Sequence, residues 1–202
     1  MKKFVLAAIL ALSPFFLFAE PKDEGKSERR IFGFQLALGT GYTFYGNGDL
    51  ASNMNKMMDR GWCRILAYAD AGITLRLTDS LYFLAGAQAM ADFAWKGGLY
   101  SNHASPAFFG GIQFYPGIGN LSFSLAYALG FRRDWDVLDY GWGNYQKVRA
   151  AKWGNGFRLA AEYDFKSGGG VVPGAGMCYL FMPTGNDDYD NTLAVYFRLA
   201  FR

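Results

Sequence analysis

The sequence holds a single histidine, His103, with Ser101 and Ser105 two residues to either side. A serine hydroxyl beside an imidazole is the start of nucleophilic acyl chemistry, which also needs a third group to orient the ring. Residues 96–105 read as a glycine-containing loop that supplies neither a fixed nucleophile nor an orienting partner. His103 is therefore expected to be a solvated loop residue, and the chain a non-enzyme without a cofactor. Asn186, Asp187, Asp188, Asp190 and Asn191 form an oxygen-rich cluster that could bind calcium. Their spacing does not match an EF-hand loop, so a solvated acidic tip is expected and no metal site is assigned. Trp135, Tyr140, Trp142 and Tyr145 lie among Asp134, Asp136 and Asp139. Exposed aromatics of this kind anchor protein partners, and these four are the candidate loop contacts. Met54, Met57 and Met58 are spaced as one face of a helical turn and suggest a small cap.

The elements that must position these residues follow from an alternation of period two. From Leu121 one face carries Leu121, Phe123, Leu125, Tyr127, Leu129 and Phe131, and the other Ser122, Ser124, Ala126, Ala128, Gly130 and Arg132. Near the end Leu193, Val195, Phe197, Leu199 and Phe201 alternate with Thr192, Ala194, Tyr196, Arg198 and Ala200. Period two is the signature of a strand. Comparable strands are predicted at 32–44, 63–77, 81–95, 106–116, 153–165 and 171–182, eight in all. Tight turns at 78–80, 117–120 and 166–170 alternate with longer connections at 46–62, 96–105, 134–152 and 183–191.

One face is large, apolar and almost free of charge; the other is small, with isolated charges. A water-soluble barrel or sandwich would place its charges outward. The opposite arrangement suits an eight-stranded antiparallel up-and-down transmembrane β-barrel, whose narrow bore takes small side chains. Closure also pairs every backbone amide, as lipid demands. Aromatics near both strand ends fit the two membrane interfaces. Cys63 and Cys178 fall on opposite faces and are expected to be free thiols.

The 202 residues are 51% hydrophobic, 18% aromatic and 18% charged, with 26 glycines. That composition excludes a disordered chain and a helical bundle. A net charge of +3 gives no reason to expect a nucleic-acid partner. Met1-Lys2-Lys3 and the apolar run to Ala19 have the form of a cleaved secretory signal, and 20–30 is a charged periplasmic lead-in. The barrel domain is then 31–202, placed in the bacterial outer membrane with its long loops outside.

Counting rungs from the turn end brings opposite charges to similar heights, with Asp70 and Arg158 on facing walls. Asp70 and Arg158 are expected to meet, with Gln88 adding hydrogen bonds; Glu162 with Arg198 and Asp92 with Arg132 make two further pairs. An unpaired charge in so narrow a bore is costly, so this charge ladder is expected to plug it.

A signal peptide, eight alternating strands and the ending Tyr196-Phe197-Arg198-Leu199-Ala200-Phe201-Arg202 resemble the small outer-membrane barrels of the OmpA membrane-domain, OmpX and OmpW type. The resemblance implies that Tyr196, Phe197 and Phe201 belong to the signal read by the barrel-assembly machinery, although Arg202 follows the usual terminal phenylalanine. In length it is nearest OmpW, which implies passage of small apolar molecules. The alternative implied is an OmpX-like scaffold or adhesin whose loops bind host or cell-surface partners. Outer-membrane lipid is a partner in either case.

Overall fold

The structure, a computed structural model, describes residues 31–139, 144–150, 153–165, 170–183 and 189–201. The expected signal peptide and lead-in lie outside the described residues. Among the described residues ten strands and one helix follow in chain order: β1 (Phe32–Phe44), α1 (Gly48–Asp59), β2 (Cys63–Arg76), β3 (Leu81–Lys96), β4 (Leu99–Phe114), β5 (Leu121–Gly130), β6 (Arg133–Asp139), β7 (Asn144–Ala150), β8 (Gly154–Asp164), β9 (Val171–Pro183) and β10 (Tyr189–Phe201). All pairings are antiparallel. β1 to β5 and β8 to β10 close on themselves through β1–β10 and β5–β8, giving an eight-stranded barrel.

The period-two pattern maps onto the wall. Leu125, Leu129 and Phe197 face outward at 36%, 42% and 51% exposure, while Ala126 faces the bore at 1%. The outward face carries an apolar band that water would not solvate favourably. Aromatics ring it at both ends. At the loop end Trp153 stacks on Phe108 and touches Phe131, and Phe181 stacks on Phe157 and Tyr189. At the turn end Phe34 meets Phe201 and Tyr163 meets Phe165. Cys63 is exposed on the outer face and Cys178 buried in the bore, both as free thiols.

Two expected loops are different structures. The connection at 96–105 is a tight turn at Gly97–Gly98, and β4 begins at Leu99 instead of near 106. Gly97 has φ +61°, the left-handed conformation that glycine adopts without strain. The segment 134–152 contributes the hairpin β6–β7, whose β6 pairs with β4 from Tyr100 to Ala104 above the rim where β5 ends. β6 is held to β4 by backbone pairing and by side-chain bonds from Ser101 and His103 of β4 to Asp136 and Asp134 of β6. In the first long connection α1 forms, capped by Asn47 Oδ1 accepting from Leu50 N at 2.9 Å, with Met54 buried beneath it.

Candidate functional site

The bore is built in layers, because each strand sends every second side chain inward. The middle layer centres on Arg158 of β8, which is fully buried. Its Nη2 lies 3.0 Å from Asp70 Oδ2 on β2 across the barrel. It also donates to Ser124 Oγ at 3.1 Å, and its guanidinium sits 4.9 Å from the Phe109 ring centre. Arg198 of β10, also fully buried, pairs with Glu162 and Asp164 and donates to Gln35 Oε1 at 3.1 Å.

Three carboxylates thus face two guanidiniums, and each carboxylate accepts a further bond from a tyrosine. Tyr68 donates to Asp70 at 2.5 Å, Tyr196 to Glu162 at 2.8 Å and Tyr115 to Asp164 at 3.4 Å. The structure therefore brings together Asp70 with Arg158 and Glu162 with Arg198. Sequence reasoning missed the tyrosines as partners. Their signal was present: Tyr68 and Tyr196 are bulky, polar side chains on the small-residue face.

Gln88 does not supply the expected hydrogen bonds. It is buried, and neither its Nε2 nor its Oε1 has a partner in the structure. It opposes Asp70 in the β2–β3 register, but Asp70 turns its bonded oxygen to Tyr68 and Arg158.

Towards the loop end the next inward positions are apolar: Leu66 on β2, Met90 on β3 and Met182 on β9 are buried in one cluster. Beyond them charges return. Asp92 does not meet Arg132 as expected. Arg64 grips Asp92 through Nε at 2.9 Å and Nη2 at 2.5 Å, and Tyr45 donates to it at 2.6 Å. Arg132 instead bonds Asp134 at 2.9 Å and Asp190 at 2.7 Å. The expectation matched heights near the mouth on strands two apart, whereas Arg64 stands diagonally beside Asp92 on the adjacent strand, a shorter reach. Asp190, expected in a solvated acidic tip, is buried at the start of β10. Asn186, Asp187 and Asp188 lie outside the described residues. Among the described residues no cluster of three His, Cys, Asp or Glu side chains is arranged to hold a metal.

The rim holds the largest departure from expectation. His103 is not a loop residue: it lies in β4, 3% exposed. Its Nδ1 is 2.8 Å from Asp134 Oδ1, and its Nε2 is 3.0 Å from Ser101 Oγ. Ser101 also donates to Asp136 Oδ1 at 2.6 Å, and Tyr45 meets the imidazole edge-on. The cross-strand register sets this arrangement, since His103 opposes Asp134 and Ser101 opposes Asp136. A polar cleft of about 200 Å³ opens over these groups, lined among others by Asn47, Asn53, His103, Asp134, Asp136 and Lys147. Of the candidate loop contacts, Trp135 lies on β6 under the guanidinium of Arg133 at 5.0 Å, and Tyr145 lies on β7. Tyr140 and Trp142 lie outside the described residues.

Burial pushes the Asp134 carboxyl up, but the hydrogen bond with His103 and the charge of Arg132 outweigh it and hold it below the ordinary value. A depressed carboxyl adds stability above its unfolded value, near 3.9, and loses it as pH falls through the lower folded value. The β6–β7 hairpin is therefore expected to stay docked at about pH 5 and to loosen only below the ordinary carboxylate range. Hydrogen exchange of the β6 amides across a pH series checks this; loss of protection already at pH 5 contradicts it.

No family model matches the sequence, and no curated protein sequence matches it. Solved structures do. Ail, the attachment invasion locus protein of Yersinia pestis, crystallised with the heparin analogue sucrose octasulfate, is similar with a TM-score of 0.52 at 8% identity. That match covers 84% of this chain and 97% of Ail. Neisserial surface protein A is similar with a TM-score of 0.50 at 13% identity, over 84% of this chain and 96% of that one. At such identities the likeness is one of fold: this chain shares the closed eight-stranded barrel of these proteins.

Proposed function

We propose that the protein is an integral barrel of the bacterial outer membrane whose closed wall serves as a rigid scaffold. It presents α1, the β6–β7 hairpin and the polar rim to the cell exterior. The observation that carries this reading is the filled bore, in which the Arg158 and Arg198 networks, an apolar layer and the Arg64–Asp92 pair succeed one another along the axis. An eight-stranded barrel is filled by its own side chains, and this filling speaks against OmpW-like passage through the bore. It favours the OmpX-like alternative, in which loops meet host or cell-surface partners. Ail, solved with a sulfated sugar, is a fold relative for which such a ligand is known; Arg133 and Lys147 would be the cations of this rim to test against one.

In this reading residues 1–19 direct secretion and are removed, 20–30 stay in the periplasm, and Tyr196, Phe197 and Phe201 serve recognition by the barrel-assembly machinery. Of these, Phe197 and Phe201 face outward, and Tyr196 faces the bore. The apolar outer band contacts lipid. An epitope inserted beside Asn144 is expected to be reached by antibody on intact cells, and one beside Ser80 only after permeabilisation. Labelling at Ser80 on intact cells reverses the orientation.

A further inference from the structure

We propose that Ser101, His103 and Asp134 form a hydrolytic relay that cleaves small polar carboxylic esters at the outer rim. This goes beyond the scaffold reading and does not depend on which partner the loops meet.

The geometry is that of nucleophile, base and orienting acid. Ser101 and His103 are two residues apart on β4, so their side chains leave the same face. Ser101 Oγ lies 3.0 Å from His103 Nε2, and His103 Nδ1 lies 2.8 Å from Asp134 Oδ1. Both distances fall within the reach such a relay needs. Asp134 is itself fixed by Arg132 Nε at 2.9 Å, and Tyr45 holds the imidazole edge-on. All three members stand on paired strands, which hold side chains more rigidly than loops do. A histidine buried between a serine and an aspartate is not needed to close the bore, which Arg158 and Arg198 fill deeper down.

The substrate class follows from the cleft. Its volume of about 200 Å³ has no room for a two-chain lipid, and Asn47, Asn53 and Lys147 give it polar walls. His103, Asp134 and Asp136 form part of that wall. Ser101, 2% exposed, is bonded to His103 and Asp136 from behind it, so an ester in the cleft meets Ser101 when the wall opens locally. Lys147 stands opposite Asp136 in the β6–β7 register and gives the cleft wall a cation.

Ser101 also donates to Asp136 at 2.6 Å, which parks its proton away from the imidazole. For attack, the hydroxyl hydrogen must rotate to His103 Nε2 and Ser101 Oγ must be uncovered to the cleft. Ser101 Oγ then bonds to the ester carbonyl carbon while its proton passes to His103, and Asp134 steadies the imidazolium. Collapse of the tetrahedral species breaks the ester C–O bond, and the alcohol leaves with the proton from His103. Water repeats the sequence, giving its proton to His103 and its oxygen to the acyl carbon; the carboxylic acid departs and Ser101 regains its hydrogen.

The test uses the full mature barrel refolded in detergent, with folding verified by its heat-dependent shift in gel mobility. Diisopropyl fluorophosphate is the probe, read by intact mass and peptide mapping, with p-nitrophenyl acetate hydrolysis alongside. The expected result is one adduct, on Ser101, absent in Ser101→Ala and slowed roughly a hundredfold or more in His103→Gln. Asp136→Asn should label faster than the parent, because it weakens the competing acceptor; a purely structural cluster would not show this. Ser101→Ala removes one oxygen and is the variant least exposed to misfolding. A folded parent that takes no adduct at Ser101, or ester hydrolysis unchanged in folded Ser101→Ala, overturns the proposal.

Discussion

Replacing Arg158 with alanine is expected to lower the stability of the barrel by about 3–5 kcal/mol, the range for breaking a buried ion pair from one side. Arg158 is fully buried, and its removal leaves Asp70, 5% exposed, without its cation. Tyr68 would still donate to Asp70, but Tyr196 and Ser124 each lose a guanidinium contact. Removing both charges should be milder than removing one. The pair Arg158→Met with Asp70→Asn is expected to regain much of the loss, because no uncompensated charge then stays in the bore. Denaturant unfolding in lipid vesicles, followed by tryptophan fluorescence, measures each variant. A single Arg158→Ala variant as stable as the parent would mean that water, not Arg158, satisfies Asp70.

Leu125→Arg is the matching test of the outer face, with an expected cost of roughly 2–4 kcal/mol for a cation near mid-membrane. Leu125 lies midway along β5 between Ile112 of β4 and Leu159 of β8, all pointing outward into the apolar band. The next residue, Ala126, points into the bore. Ala126→Ser adds one hydroxyl on the polar side and is expected to cost little by comparison. Equal effects of the two substitutions in the same vesicle assay would show that the wall is turned by one residue.

The membrane-facing half of the fold was legible because lipid imposes a strict alternation, and a one-residue error would turn every side chain around. The facing of Leu125, Phe197, Cys63 and Cys178 follows from it. The pairs Asp70–Arg158 and Glu162–Arg198 were also within reach of counting rungs, since a bore this narrow leaves a charge few places to go. What escaped lies where those constraints end. Residues 99–105 continue β4 in water, where no apolar face marks a strand, so His103 read as a loop residue. The hairpin β6–β7 is hidden for the same reason. The Asp92–Arg64 pair escaped because a diagonal neighbour on the adjacent strand is nearer than a residue at equal height two strands away. Asp134 was read as part of a loop, and only the register of β4 with β6 places it against His103.

Single-channel recording of the refolded protein in planar bilayers tests most directly whether the barrel is closed along its axis. Arg158, Arg198 and the layer of Leu66, Met90 and Met182 are expected to leave no steady ion-conducting state. Arg158→Ala alone should add at most brief, small openings, because the apolar layer and the Arg64–Asp92 pair still stand above it. A large, steady conductance in the native barrel, unchanged by Arg158→Ala, would contradict the filled bore and return passage to the centre of its function.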